Sequence, residues 1–289
     1  MAQVQEQELR AQAFDTAIKQ TAAITYKFKQ AVTEESTAAW QNTFYRETTT
    51  SALTAQSGNA IRALPRLANP PTNSVDWEQI DKYQEKYMFE DVISWEDILT
   101  NSINVQGRTL FRIAEAITKG VDDAIYSALT DTTTNTTINT VNIATTLYWD
   151  GTSAAIIDNL MNARQLIVED GYSPENLMVF LSPKDHRSVM NYLAGKGAQF
   201  PLIGEQIATN GKVGRVAGFQ LIEAVNVTAS QALIVVPRLC ATWKQAAPLQ
   251  TNTTENPFIS VRIRAVEIGA CHVTDPKAIC FVKGTQGPF

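Results

Sequence analysis

At 289 residues and 44% hydrophobic composition, the chain is long enough to bury one large core or two small ones, which excludes disorder as its default state. Its net charge is −5 and its 24 Lys and Arg are scattered without a basic stripe, which excludes tight, direct nucleic-acid binding. Charged residues make up 18% of the chain, below the roughly 25% of a typical soluble domain, so much of the surface is left to the uncharged polar contacts that association uses.

Met1 to Arg10 is polar and carries Glu6 and Glu8, unlike a signal peptide, and no apolar run reaches membrane-spanning length, so a cytosolic, membrane-free protein is expected. Three cysteines, Cys240, Cys271 and Cys280, are an odd number in a chain too large to depend on disulfides, and are expected as reduced core thiols.

Residues 4–32 carry Phe14, Ile18, Ala22, Ile24, Phe28 and Val32 on a polar background, the spacing of a narrow amphipathic helix. No partner stripe lies nearby in sequence, so the helix is expected either to dock on another surface or to pack on its own domain. Between residues 41 and 77 there is no helical period, and Thr, Ser, Asn and Pro abound, as in an extended arm that finds its contacts on a neighbouring molecule. Within it Phe44–Thr50 and Ala60–Leu67 read as two extended limbs around the turn Gln56-Ser57-Gly58-Asn59. Pro65, Pro70 and Pro71 end the second limb.

Lys86–Ile93 is a further extended stretch, after which Ser94 caps a helix with Asp97 at the third position. From Trp95 to Leu129 a polar entry leads into a long amphipathic helix, with Leu110, Ile113, Ala114, Ile117, Val121, Ala124, Ile125 and Leu129 as its buried stripe. Thr130–Thr146 has the Thr and Asn content of a strand or an exposed crossing between domains. Ser153–Asp170 reads as a helix stopped by Gly171, Leu177–Leu181 as a short buried strand, and Pro183–Ala194 as a helix capped by Ser182. Lys212–Val216 and Phe219–Glu223 form a hairpin around Ala217-Gly218, and Ala232–Val236 is a buried strand. Ile259, Val261 and Ile263 alternate with Ser260, Arg262 and Arg264, and a slip at Ala265-Val266 predicts a bulge. Ala278–Val282 is the last strand. Strands and helices interleave without regular alternation and without a repeat, which indicates the α+β class.

Few residues suggest chemistry. Ser182, Asp185 and His186 have hydrolase-triad types but fall within one helical turn, where Ser182 serves better as a cap. Cys271, His272, Asp275 and Cys280 are ligand types without a paired metal-binding spacing. Gly211-Lys212 is followed by Val213, where a phosphate loop needs Ser or Thr. Asp122 and Asp123 point about 100° apart on a helix, so one is expected to pair across an interface while the other is solvated. No catalytic residue, cofactor site or metal site is identified, and the chain reads as a non-enzyme.

The order of these pieces resembles the major capsid proteins of tailed bacteriophages, the Hong Kong 97 fold, over nearly the whole chain. Phe111 to Ile117, continuing through Val121-Asp122-Asp123-Ala124-Ile125, is similar to that family's spine helix, and the extended segment before it stands where the family has its E-loop. Leu177 to Leu193 and the hairpin Gly214 to Leu221 resemble its axial domain, and Asn256 to Ile268 with Thr274 to Ala278 its closing strands.

The resemblance implies an N-terminal arm over 1–36, an E-loop over 37–78, a peripheral domain over 79–145 with return strands at 240–270, and an axial domain over 146–239 completed by 271–289. It implies a virion shell protein that self-assembles in the host cytoplasm through hexamers and pentamers and encloses double-stranded DNA without sequence-specific binding. Portal and scaffolding or cement proteins are the implied partners. Candidate contacts between subunits are Trp40, Phe44, Tyr45, Arg46, Arg62 and Arg66 on the arm, because aromatics and Arg carry most interface energy. Phe14, Ile18 and Phe28 join them from the N-terminal stripe. An encapsulin, a nanocompartment of the same fold around enzyme cargo, is the alternative. Some relatives carry a long N-terminal scaffolding segment, for which the spine helix here begins too early.

Some relatives also bond a loop lysine covalently to a neighbouring asparagine, yet no Lys occurs between Lys29 and Lys82. Heated, denatured assemblies are therefore expected to run as single chains on a gel; a ladder of covalent oligomers contradicts this.

Overall fold

The computed structural model describes residues 13–22, 26–47, 77–100, 105–151, 153–195 and 215–287. Residues 13–22 are helical (α1), followed by a 3-10 turn (Phe28–Gln30), β1 (Thr33–Ser36), β2 (Gln41–Glu47), β3 (Trp77–Tyr83) and β4 (Glu85–Ser94). Then come α2 (Trp95–Thr100), α3 (Val105–Thr130), β5 (Asn139–Asn142), α4 (Ile156–Glu169), β6 (Leu177–Leu181) and α5 (Pro183–Gly195). The chain closes with β7 (Arg215–Val216), β8 (Phe219–Glu223), β9 (Gln231–Val235), β10 (Ala241–Asn256), β11 (Ser260–Val273) and β12 (Ile279–Lys283).

The strands form a four-stranded sheet in the order β1-β10-β11-β4, a six-stranded sheet β5-β12-β9-β6-β8-β7, and a separate ribbon β2-β3. The long helix α3 packs across β11 and β4, burying Ile113, Ala114, Ile117, Val121, Ile125 and Leu129 much as its spacing predicts. Against the second sheet, α4 covers β5 and β12. Because β5 pairs with β12, the chain crosses from the first sheet to the second after α3 and before residue 139.

Local signals act as read. The Asp185 N–H donates to Ser182 Oγ at 3.2 Å, capping α5, and the Asp97 N–H donates to Ser94 Oγ at 3.1 Å, capping α2. Ala217 and Gly218, at φ 51° and 89°, make the tight turn that joins β7 to β8, with positive φ at both central positions.

Two expectations need correction. In β11 no bulge occurs at Ala265-Val266: its register with β4 runs unbroken from Ser260 opposite Ser94 to Gly269 opposite Glu85. Val261, Ile263, Ala265 and Glu267 are buried while Arg262 and Arg264 are exposed, so the alternation never slips; a charged residue takes a core position. The irregularities are on β10 instead, between Gln245 and Ala247 and between Ala247 and Gln250, a stretch where Pro248 has no N–H to give a ladder. The second correction concerns the arm: β2 pairs not with the expected limb 60–67 but with β3, from Gln41 opposite Tyr83 to Glu47 opposite Trp77. The expected limb 60–67 and its turn at 56–59 lie outside the described residues, as do Arg62, Arg66 and Gly211-Lys212.

Trp243 on β10 is fully buried and lies flat against β11 at Gly269, where a Cβ would overlap its Cζ2 and Cε2 atoms. Gly269→Ala is expected to destabilise the subunit by roughly 1–3 kcal/mol through overpacking. Thermal melts check this; an unchanged Tm contradicts the close approach.

Candidate assembly surfaces

The N-terminal segment is held inside its own subunit. Phe14, Ile18, Ala22, Phe28 and Val32 are all buried in the common core. Their expected role as contacts on a neighbour is therefore replaced by one within the chain. Asp15 Oδ1 accepts the Thr251 hydroxyl at 2.8 Å and the Thr251 N–H at 3.2 Å, tying α1 to β10. Asp122 on α3 accepts the N–H groups of Lys27 and Phe28 at 2.8 and 3.2 Å. Asp122 is thus engaged within the subunit and not across an interface, while Asp123 is exposed. Burial raises the Asp122 carboxyl to about 6, with the two backbone N–H groups pulling the other way.

The charge on the core face of β11 is neutralised by this segment. Lys29 Nζ lies 2.5 Å from Glu267 Oε1, Gln245 Nε2 donates to the same oxygen at 3.1 Å, and the Tyr26 hydroxyl donates to Oε2. Desolvation, with Glu267 beside it, pushes the Tyr26 phenol well above its usual range. Lys29 Nζ also sits 4.2 Å from the centroid of the Tyr26 ring. Phe28 stacks on Phe180 of β6 at 4.4 Å and tilts against Tyr126 of α3 at 5.5 Å, so one side chain joins the helix to the second sheet.

The ribbon β2–β3 has two unlike faces. Phe44 meets His272 edge-on at 5.0 Å, Arg46 Nη1 donates to Asn135 Oδ1 at 2.6 Å, and Arg46 Nε lies 2.9 Å from Glu78 Oε2. Phe44 and Arg46, expected as contacts with a neighbour, are therefore turned toward their own subunit. On the opposite face, Tyr45, Trp77 and Tyr83 are 62%, 62% and 60% exposed; Trp40, which precedes β2, is 58% exposed. Trp77 and Tyr83 escaped the sequence reading, although they sit at odd positions of β3 and the register puts them on the Tyr45 side.

The residues with catalytic types are engaged structurally. Ser182 Oγ donates to Asp185 Oδ2 at 2.6 Å, and Gln286 Nε2 donates to Asp185 Oδ1 at 3.1 Å. His186 Nδ1 lies 3.9 Å from Glu223 Oε2, on a different acid from the one that Ser182 meets. Asp275 accepts the Lys277 N–H at 3.0 Å and the Tyr172 hydroxyl. Cys240, Cys271 and Cys280 are buried free thiols, and burial pushes Cys240 and Cys280 up to about 12. Among the described residues no group of three or more His, Cys, Asp or Glu is arranged to hold a metal ion, and no helix is long and apolar enough to cross a membrane.

Comparison with known proteins gives one family and a set of folds. The profile of a family described as phage capsid protein matches residues 78–282. In fold the chain is similar to the virus-like particle from Pyrococcus furiosus, with a TM-score of 0.65 and 11% identity over 95% of this chain and 99% of that one. It is likewise similar to a chain of Mycobacterium phage Che8, at TM-score 0.66 and 12% identity over 91% and 93% of the two chains. The mature capsid of bacteriophage PhiM1 aligns at TM-score 0.61 and 17% identity, over 91% and 88%. No curated protein matches the sequence.

Two buried groups set opposite pH dependences. Asp122 titrates at about 6 when folded against 3.8 for the free carboxyl, so its contribution to stability is full below pH 3.8 and is lost as pH rises through 6. His272 is buried, neither ring nitrogen has a hydrogen-bond partner among the described residues, and desolvation lowers it to about 4 from 6.5. Its contribution is full above pH 6.5 and is lost as pH falls through 4. In thermal melts of the unassembled subunit, the Tm gap between the parent and Asp122→Asn is expected to widen as pH falls through these values, and His272→Phe to blunt the loss of stability in acid. A pH-independent gap, or an unchanged acid limb, contradicts the respective assignment.

Proposed function

The chain belongs to the phage capsid protein family, and from that premise we propose that it self-assembles through hexamers and pentamers into an icosahedral shell around double-stranded DNA. Its architecture is the Hong Kong 97-like fold of tailed-phage major capsid proteins. The family match over residues 78–282 carries the reading. Its work is structural, done by surfaces and not by a reaction centre. A net charge of −5 suits a wall that holds DNA without adhering to it.

In this reading residues 1–36 are the N-terminal arm and 37–78 the extended loop. The peripheral domain runs from 79 through the spine helix α3 and resumes at 240–270. The axial domain is 146–239 with 271–289, and it also takes in β5. The two separate sheets support this division, since the first is built on β4, β10 and β11 and the second on β5 to β9 with β12. Trp40, Tyr45, Arg62 and Arg66 are the contacts proposed between subunits, and the exposed Trp77 and Tyr83 extend that set. Assembly takes place in the host cytoplasm, with portal and scaffolding or cement proteins as partners. The second reading, an encapsulin-type compartment around enzyme cargo, is compatible with the likeness in fold to the virus-like particle from Pyrococcus furiosus over 99% of that chain.

Negative-stain electron microscopy of the large species from size-exclusion chromatography, with absorbance at 260 nm, tests both readings. Closed uniform shells, or rosettes of six and five subunits, are expected. Nuclease-resistant DNA inside them favours the phage shell, and a folded enzyme inside favours the compartment. A monomer or dimer that persists as concentration and salt are raised contradicts shell formation.

A further inference from the structure

Inside the subunit an amine, a carboxylate and a carboxamide meet at one oxygen atom. Glu267 Oε1 accepts from Lys29 Nζ at 2.5 Å and from Gln245 Nε2 at 3.1 Å, while the Tyr26 hydroxyl holds Oε2. Glu267 is fully buried, Lys29 is 9% exposed, and the rings of Tyr26 and Trp243 lie 4.2 and 5.7 Å from Nζ, so little water reaches the amine. The backbones that carry these groups are pinned. Gln245 lies on β10 between Ser36 of β1 and Gly269 of β11, and its carbonyl accepts the Thr37 N–H at 2.9 Å. The ladder becomes irregular directly after it, between Gln245 and Ala247, the kind of break that re-aims a side chain. Lys29 sits in the 3-10 turn whose entry N–H groups are held by Asp122.

A carboxylate oxygen in touch with an amine nitrogen and an amide nitrogen can carry a proton from the first to the second, which is the transfer that amide exchange needs. We propose that Lys29 and Gln245 are joined by an isopeptide bond formed within the chain, with Glu267 as its catalytic residue. Glu267 takes a proton from Lys29 Nζ, and the neutral amine attacks Gln245 Cδ. Glu267 then gives that proton to Nε2, the Cδ–Nε2 bond breaks, ammonia leaves, and Glu267 takes a second proton from Nζ. One Nζ–Cδ bond replaces one Cδ–Nε2 bond with no oxidation or reduction, and Glu267 ends as a neutral acid beside a neutral amide. Exchanging a buried ion pair for uncharged partners removes its desolvation cost, and fixing the groups in one fold makes the attack intramolecular. A cleft of about 320 Å³ lined by both Lys29 and Gln245 gives ammonia an exit. The reaction occurs once per chain and fastens the N-terminal segment to β10; because it joins no two chains, denatured assemblies still run as single chains.

The test is intact-mass spectrometry of the full chain, taken from folded protein and then denatured, followed by chymotryptic mapping. The expected result is the mass of the sequence, with or without Met1, less one ammonia, and a branched peptide joining Lys29 to Gln245. The full mass overturns the proposal, as does loss of one water with Lys29 joined to Glu267, or a loss of ammonia that maps to other residues. Lys29→Arg and Glu267→Gln are each expected to restore the full mass, the second because it removes the proton acceptor while keeping the shape of the side chain. A Glu267→Gln chain that melts cooperatively and still carries the bond overturns the role of Glu267. Should that variant fail to fold, the mass and map of the parent chain decide the matter alone. The result does not depend on particle formation, so failure of the chain to assemble refutes the capsid reading without touching this one.

Discussion

A carboxylate on the core face of a strand cannot be buried alone, and Glu267 determines what must lie against β11. Desolvating an unpaired charge costs several kcal/mol, and breaking a buried pair by removing one member costs about 3–5 kcal/mol. The N-terminal segment supplies the answer with Lys29 and Tyr26, and Gln245 completes the shell of donors. Once those side chains are fixed, the adjoining backbone is fixed as well, because Lys27 and Phe28 give their N–H groups to Asp122 on α3. Phe28 then falls between Tyr126 and Phe180, and the long helix, the first sheet and the second sheet share one core. A segment without a partner stripe in sequence turns out to be the strap that joins the two halves of the subunit.

Because the strap is satisfied within its own chain, the surfaces left for association are elsewhere. The ribbon shows the division of labour most clearly: one face is occupied by Phe44, Arg46 and Ile80 turned to the body, and the other holds three large aromatic side chains in water. Exposed rings gathered on one face are costly for an isolated monomer and useful for one that associates with copies of itself. The low share of charged residues fits the same economy of neutral contacts.

Much of this was legible in the sequence where a period or a cap is local. The helix α3, the strand β6, the cap at Ser182 and the turn at Ala217-Gly218 each follow from residues within a few positions of one another. What escaped depends on partners far along the chain. Glu267 looks like a break in alternation until Lys29, 238 residues away, is brought beside it. The strand β3 has its large apolar residues, Trp77 and Tyr83, on the solvent side, so a reader seeking a buried face passes over it. Asp122 reads only as one of a pair of acids, either of which could meet a neighbour, because nothing in its own helix announces the Lys27 and Phe28 N–H groups that it accepts. The arm and the spine helix follow from their order in the chain, whereas the stripe of Phe14, Ile18 and Phe28 leaves open whether it covers a neighbour or its own domain, because a single apolar stripe does not name what covers it; in the structure it lies in the subunit's own core.

The central claim is that each subunit is clasped internally by its own strap and joined to its neighbours by the ribbon. A cryo-electron microscopy reconstruction of the assembled particle tests it most directly. The account predicts Lys29 on Glu267 of the same chain and the outward aromatic row of β2–β3 covered by an adjacent subunit. A strap exchanged between subunits, with Lys29 meeting the Glu267 of a neighbour, or a ribbon whose aromatic row faces solvent in the finished particle, would contradict it.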